Sequence, residues 1–425
     1  MPPRHPFAVR DFRFYFIARL SATIAQTGMV IVIGWQVYDI ARRTMDLHHA
    51  ALQLGLIGLV QFVPLFALTL VTGWTADRID RRYIARAAVA LETFCAAVLA
   101  FLAWNHATTL LALFGIAALL GVARAFAGPA LSALAPNLVP LEILPRAIAT
   151  SSIAWQVGAI VGPALGGYLY AYAPYAPYMI GAVLLASSFC CMVLIRPIPR
   201  TEMARRHPWQ QMVDGLRYVR ENRLVLGAIS LDLFAVLLGG ATAMLPVYAR
   251  DILHSGPTGL GHLRAAPAVG ATLTALFFAY RPLKRDVGLK MLAAVALFGG
   301  STIVFGFSRA MPLSLFCLFL LGAADMFSVY VRQSLIQLYT PNEMRGRVGA
   351  VSSLFISASN ELGEAESGFL ASLIGPVAAV VGGGAGAILV TLIWARWFPE
   401  LRRARSFDPP ASLVEARESG GHPMK

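Results

Sequence analysis

Glu92, Arg124, Asp232, Asp325, Arg332, Glu361, Glu364 and Glu366 stand inside stretches that are otherwise apolar. If those stretches lie in lipid, each charge costs about 2.5–3.5 kcal/mol to insert at the bilayer centre, so each needs an opposite charge, a proton or water beside it. Groups of this kind hold and release protons or grip polar solutes. Asp325 and Asp232 are the first proton-carrier candidates, and Arg124 is the cation whose link to Asp325 a protonation change would alter. Two separately satisfied structural charges are the competing account of Arg124 and Asp325. For Asp232, about two turns from one end of its stretch, the competing account is a side chain reaching out to water. Glu361 and Glu364 share a helical face while Glu366 points elsewhere. Carboxylates crowded this closely repel, so a proton, water or Arg332 must relieve them, in a transport role or in a structural network.

Other chemistries find no footing. No phosphate-binding glycine loop ending in Gly-Lys-Ser/Thr occurs, which leaves nucleotide drive within this chain without a seat. His48, His49, His106, His254 and His262 are expected in outer loops and read as polar surface. Cys95, Cys190, Cys191 and Cys317 fall inside them, without metal-ligand spacing. The sequence predicts no enzyme, no metal and no cofactor.

The elements that would carry these charges follow from composition. The chain has 425 residues, 57% hydrophobic and 13% charged, where a soluble domain is roughly 25% charged. It lacks the polar residues to cover a water-facing surface. A membrane helix needs about 20 mostly apolar residues, and such runs occur at 14–38, 51–73, 84–104, 108–131, 147–171, 176–195, 224–249, 259–280, 288–307, 312–335, 347–371 and 376–397. Twelve helices are predicted. The net charge of +13 sits in short clusters between the runs, which points to membrane topology and away from nucleic acid. With the N-terminus inside, only Arg42, Arg43, Arg250, Arg264 and Arg309 of the 35 basic residues fall in outer loops. Both termini are therefore expected in the cytoplasm. The polar stretch 196–223 divides a first bundle, 1–195, from a second, 224–398; the tail 399–425 reads as cytoplasmic and disordered. The middle of the linker, Trp209 to Val219, has the pattern of an amphipathic helix on the membrane surface.

A repeat supports the division. Residues 119–168 align without a gap to 320–369, matching Gly121 to Gly322, Pro140 to Pro341, Glu142 to Glu343, Arg146 to Arg347, Gly162 to Gly363 and Gly167 to Gly368. Arg124 and Asp325 occupy equivalent places with opposite charge. Parallel six-helix repeats of this kind build one large transporter architecture.

Two motifs narrow the reading. Gly73-Trp-Thr-Ala-Asp77-Arg78-Ile-Asp80-Arg81-Arg82 lies between the second and third runs. It resembles the loop signature of the major facilitator superfamily, with Asp80 where that signature has glycine. A positive-inside loop is the plainer account. The fifth run holds Gly158, Gly162, Pro163, Gly166 and Gly167; glycines every four residues make a smooth face for a neighbouring helix, and the proline kinks it. This stretch resembles the signature of the superfamily's antiporters, although small-residue packing alone would produce the same face. Leu245 to Gly270 and Pro341 to Arg347 look like the branch of bacterial drug and siderophore exporters.

The resemblance implies an all-α membrane protein with twelve helices in two six-helix bundles and a central cavity lined by helices one, four, seven and ten. It implies that Gly73, Asp77, Arg78, Arg81 and Arg82 belong to a conformational-switch loop, and that Arg124 takes part in proton coupling. The implied activity is proton-coupled efflux of a small amphipathic compound by alternating access in a bacterial inner membrane. Its partners would be that substrate, protons and lipid, with no nucleic acid and no obligatory protein partner. Transport of a lysophospholipid or metabolite without proton antiport is the alternative, and a non-transporting receptor or assembly partner is the reading from another class. Gln36, Trp155 and Gln156 are the cavity-lining candidates, although aromatic residues near helix ends also serve as interfacial anchors.

Overall fold

The computed structural model describes residues 5–78, 80–134, 137–196, 208–281, 283 and 285–407; the side chains at 69, 70, 73, 74, 76–78, 129, 132, 133, 141, 208, 209, 211 and 342 lie outside this description. The first six membrane helices, or spans, are Arg10–Thr44, Leu47–Arg78, Arg81–Trp104, Leu110–Leu134, Leu144–Tyr172 and Ala176–Leu194. The second six are Arg223–Leu238 with its continuation to Ile252, Gly256–Tyr280, Val287–Phe307, Met311–Tyr339, Asn342–Ile374 and Pro376–Trp397. Eleven of the twelve are apolar enough to be recognised as spans by composition. The eleventh, Asn342–Ile374, is as long as the others but carries Glu361, Glu364 and Glu366, which dilute its apolar character.

An even number of spans puts Arg10 of the first span, Trp397 of the last and the helix Pro208–Glu221 between the bundles at one end of the molecule, the linker end; the opposite is the far end. The linker contains a helix, Pro208–Glu221, which docks on the second bundle. Asp214 pairs with Arg347 at 3.0 Å, and the Tyr218 hydroxyl donates to the Tyr339 carbonyl at 2.7 Å. The tail expected to be disordered from 399 instead begins with a short helix, Pro399–Arg403, whose Leu401 is fully buried and whose Glu400 pairs with Arg223 at 2.9 Å; beyond 407 it lies outside the described residues.

The seventh span departs from the continuous helix expected over 224–249. It stops at Leu238 and resumes through a 3-10 turn, Ala241–Met244, and a wider π turn, Tyr248–Ile252. Gly239 and Gly240 form the break. A Cβ on Gly240 would sit 2.5 Å from the Gly363 carbonyl, so the bare backbone lets the eleventh span press in. Arg264, expected in an outer loop, lies inside the eighth span, eight residues past Gly256.

The repeat is realised as paired contacts. Gly121 of the fourth span abuts the Gln61 backbone of the second; its counterpart Gly322 of the tenth abuts the Pro267 backbone of the eighth. Gly162 meets the first span at Ile24 and Gly28, and Gly363 meets the seventh at Val236 and Leu237. Gly167 of the fifth span touches Pro257 and Gly261 of the eighth, while Gly368 of the eleventh touches Ala51 and Gly55 of the second. The first two pairs close each bundle. The third pair joins the bundles to each other, once on each side of a pseudo-twofold axis.

Candidate functional site

The far end holds the two bundles together. Besides the two glycine seams, the Tyr38 hydroxyl donates to Asp251, and Arg42 lies 3.4 Å from the same carboxylate. Arg250 in turn reaches Asp39 at 3.3 Å. Each bundle thus gives one acid and one base to a reciprocal latch between spans one and seven. Tyr168 and His262 share a hydrogen bond of 2.9 Å beside one seam, and His48 bonds the Ser372 carbonyl at 3.0 Å beside the other. None of these latch charges was singled out in the sequence, because they follow the apolar runs and read there as loop residues.

Nearer the linker end, the fourth span projects Arg124 into the interface. Its guanidinium meets Glu361 of the eleventh span at 3.2 Å and the Gln61 side-chain oxygen of the second at 3.2 Å. The Arg124 side chain is 41% exposed although it touches both bundles, so it faces an open cleft between them. One turn further along the eleventh span, Glu364 pairs with Arg264 of the eighth at 3.7 Å. Gly58 of the second span leaves no slack beside them: a Cβ there would be 3.2 Å from that of Glu364 and 3.6 Å from the Glu361 carbonyl oxygen. Two arginines thus meet two carboxylates in the wall between the bundles, one pair bridging them and one within the second. Glu366 points away, with a buried Oε2 that has no partner among the described residues.

Several expectations change here. Arg124 was expected to link to Asp325, its repeat counterpart. Equivalent positions related by a pseudo-twofold each face their own bundle's surroundings, and the carboxylate that reaches Arg124 comes from the eleventh span. Asp325 instead lines a small cleft inside the second bundle with Asp232, Phe298 and Ser328. Arg332 does not relieve the glutamates; it forms an ion pair with Asp232, the two side chains being 2% and 7% exposed. Asp232 is therefore neither reaching for water nor free. A buried pair of this kind loses heavily if either partner goes.

Gln36 is not in the cavity wall. It is 4% exposed and accepts a 2.6 Å hydrogen bond from Tyr178 of the sixth span, inside the first bundle. Trp155 and Gln156 fare differently. On a helix of 3.6 residues per turn, Trp155 lies about 60° and Gln156 about 160° round from Gly158, in the directions of the faces on span one and span eight but nearer the linker end than the glycine contacts. Trp155 is 49% exposed there and Gln156 half-buried.

Gly158, Gly162 and Gly166 pack on Thr23, Ile24 and Gly28 of the first span, and the Thr27 hydroxyl donates to the Gly158 carbonyl at 2.9 Å. The Pro163 carbonyl and Gly167 face the eighth span. One motif thus serves a fixed contact and an interface between the bundles. Gly73, Asp77 and Arg78, expected in a loop, fall in the last turns of span two, with side chains outside the described residues. Asp80 caps the third span, accepting from the Arg82 backbone N–H at 2.9 Å and pairing with the Arg82 guanidinium at 2.6 Å. Its φ of −58° needs no glycine. Arg81 follows as the first residue of that helix, half-buried.

The comparisons agree with this architecture. The sequence profile described as the Major Facilitator Superfamily matches residues 15–363. The enterobactin exporter EntS of Citrobacter koseri is 26% identical over 402 residues, covering 94% of each chain. That of Escherichia coli O81 is 25% identical over 409 residues, covering 95% of this chain and 96% of the relative. Among solved structures, a peptide transporter POT in complex with sulfate superposes with a TM-score of 0.71 at 15% identity, over 96% of this chain and 98% of that one. A bacterial homologue of the human lysosomal transporter Spinster, inward-facing and unoccupied, gives 0.69 at 14%, over 94% and 98%. At such identities the two structures speak for the fold alone. With twelve spans in two duplicated bundles and a family match over most of its length, the chain belongs to the Major Facilitator Superfamily, and it is a multi-pass membrane transporter, not an enzyme.

Proposed function

We propose that this transporter is a proton-coupled exporter of a small amphipathic compound, working by alternating access in a bacterial inner membrane with its linker end in the cytoplasm. The observation that carries the reading is the Arg124–Glu361 pair, an ionic bridge of 3.2 Å between the bundles whose arginine is 41% exposed. A proton on Glu361 removes the charge that holds Arg124, so proton binding and bundle separation are linked in one contact. Trp155 and Gln156 give the cleft between the bundles an aromatic, weakly polar wall suited to an amphipathic solute. The exporters of similar sequence support the outward direction, and the Lys and Arg bias supports a cytoplasmic linker.

Everted vesicles test the proposal. With an acid interior established, adding a catecholate siderophore or a lipophilic dye should discharge the gradient in vesicles carrying the protein, and Glu361→Gln should abolish that response. Substrate movement in the parent without any proton response would overturn the coupling and favour the uncoupled lipid or metabolite carrier. No movement of any compound tested, in a protein that folds, would favour the non-transporting reading.

A further inference from the structure

Arg124 has a carboxylate on each side of it. Toward the second bundle stands Glu361. Behind it, in the first bundle, stands Glu92 of the third span, 1% exposed, with both oxygens accepting from the Gln26 side-chain amide at 2.8 and 2.9 Å. Glu92 also interacts electrostatically with Arg124. Glu92 lies twelve residues from the far end of its span at Trp104, and Arg124 fourteen from Leu110. At 1.5 Å per residue these are about 18 and 21 Å from the far face, one level on two packed helices. Packed helix axes are about 8–10 Å apart, a gap that an arginine side chain spans.

The Arg124–Glu361 bridge lies on the same interface as the Gly55–Gly368 seam: the Glu361 carbonyl is 3.6 Å from where Gly58 would carry a Cβ. Opening the far end parts spans two and eleven and draws Glu361 away. An arginine stripped of its counter-ion in a closing, drying cleft is strongly disfavoured.

We propose that Glu92 is the second counter-ion of Arg124, so that the guanidinium passes from Glu361 to Glu92 when the far end opens. This deepens the proton-coupling reading and rests on it. The carboxylate that loses Arg124 takes up a proton, and the one that gains it gives a proton up. In both states the triad holds one guanidinium, one carboxylate and one carboxylic acid, with no net charge. Other charged groups do not compete for the role. Glu92 faces Gln26 from span one and Arg124 from span four, and span six offers only Tyr178 and two cysteines among its titratable residues. Glu361 faces Arg124, Arg264 and, on its own helix, Glu364, with Gln61 from span two. Asp232 of span seven is taken by Arg332, and Asp214 of the linker helix by Arg347; Asp325 of span ten lies in the inner cleft, and Arg396 of span twelve stands in the last turn of its helix.

The test uses purified full-length protein, free of native cysteines, with spin labels at Asn105→Cys and Arg309→Cys, on far-end loops of opposite bundles. Glu92→Gln keeps the hydrogen bond to Gln26 but cannot hold Arg124; it should shift the population toward the closed far end by about tenfold, a change of about 1.4 kcal/mol. Glu361→Gln should shift it the other way. Because both states of the triad hold one proton, the parent's distance distribution should stay constant with pH, and that of Glu92→Gln, in which only Glu361 exchanges a proton, should move toward the open far end as pH falls. Glu92→Asp, an acid set back by one methylene, should shift in the direction of Glu92→Gln but less, and it serves if the amide variant folds poorly. A Glu92→Gln distribution that tracks the parent at every pH, or that opens the far end as Glu361→Gln does, would overturn the assignment. Because the measurement needs neither substrate nor gradient, it stands or falls apart from the vesicle experiment.

Discussion

Gly167→Ala adds one methyl group where the two bundles touch. The new Cβ would lie 2.5 Å from the Pro257 carbonyl oxygen and 3.2 Å from the Gly261 Cα, and ordinary contact starts at 3.4 Å. Spans five and eight must therefore part by the difference, 0.9 Å, against rigid backbone on both sides. Overpacking of this kind costs about 1–3 kcal/mol. The cost falls on the conformer closed at the far end, because separating the bundles removes the clash. The open population should rise by about 5- to 150-fold, at 1.4 kcal/mol for each factor of ten. Gly162→Ala is the matched control. Its Cβ would meet the Ile24 carbonyl at 2.6 Å, but that seam lies within the first bundle and persists in every conformer. It should lower the unfolding temperature and leave the conformational ratio alone. Electron-resonance distances between labels at Asn105→Cys and Arg309→Cys read the ratio directly. If both alanine variants moved that distance equally, or neither did, the division into switching and static seams would be wrong.

Asp232→Asn strands the Arg332 guanidinium in the interior of the second bundle and should destabilise it by about 3–5 kcal/mol, whereas replacing both residues by leucine should cost far less; thermal unfolding in detergent checks both, and equal losses would deny the pairing its role. Trp155→Ala should weaken binding of aromatic substrates measured by fluorescence titration while sparing the unfolding temperature, and Gln36→Leu should do the reverse, since it leaves Tyr178 without its acceptor. The Asp46 carboxyl caps the second span, and the His49 backbone N–H, then its ring, hold it below the usual carboxylate range. A depressed value in the fold means stabilisation that is complete above the unfolded value near 3.8 and lost as pH falls through the folded one. Between about pH 5 and 8 the Asp46 carboxylate should therefore stay ionised and keep its bond to the His49 backbone N–H, and Asp46→Asn should leave any pH dependence of far-end opening in that window unchanged.

The spans were legible because about 20 apolar residues in a row have few other uses, and the repeat was legible because glycines at close backbone contacts tolerate no substitute. What stayed hidden has physical causes. The break at Gly239–Gly240 sits in an unbroken apolar run, and only the approach of Gly363 reveals why the helix yields there. Asp39, Arg42, Arg250 and Asp251 lie where spans overshoot the apolar core, so composition assigns them to loops; the first span runs to Thr44, beyond the 14–38 expected. Gln36 sits among apolar residues, and nothing along the chain says that its face of span one turns to Tyr178. The Arg124 partner was misjudged because sequence equivalence was read as proximity. Equivalent residues occupy matching places in different bundles, and contact across the axis is a separate matter.

That distinction bears on how a duplicated carrier can lock itself with charge. Across a twofold, residue i of one unit meets residue j of the other and j meets i. Identical halves can therefore pair glycine seams without change, and both seams here persist: Gly167 on span eight, Gly368 on span two. Charges obey a stricter rule, since a position lying on the axis would face its own copy and repel it. The far-end latch is built from residues off the axis, with Asp39 and Arg42 on one side answered by Arg250 and Asp251 on the other. At the cleft the solution is different. The first bundle keeps Arg124 while the second has an acid, Asp325, at the equivalent place and sends its bridging carboxylate from the eleventh span. An asymmetric pair of this kind can be broken by one proton on one side, which a symmetric latch cannot, so the site where the halves differ is the site where coupling can reside.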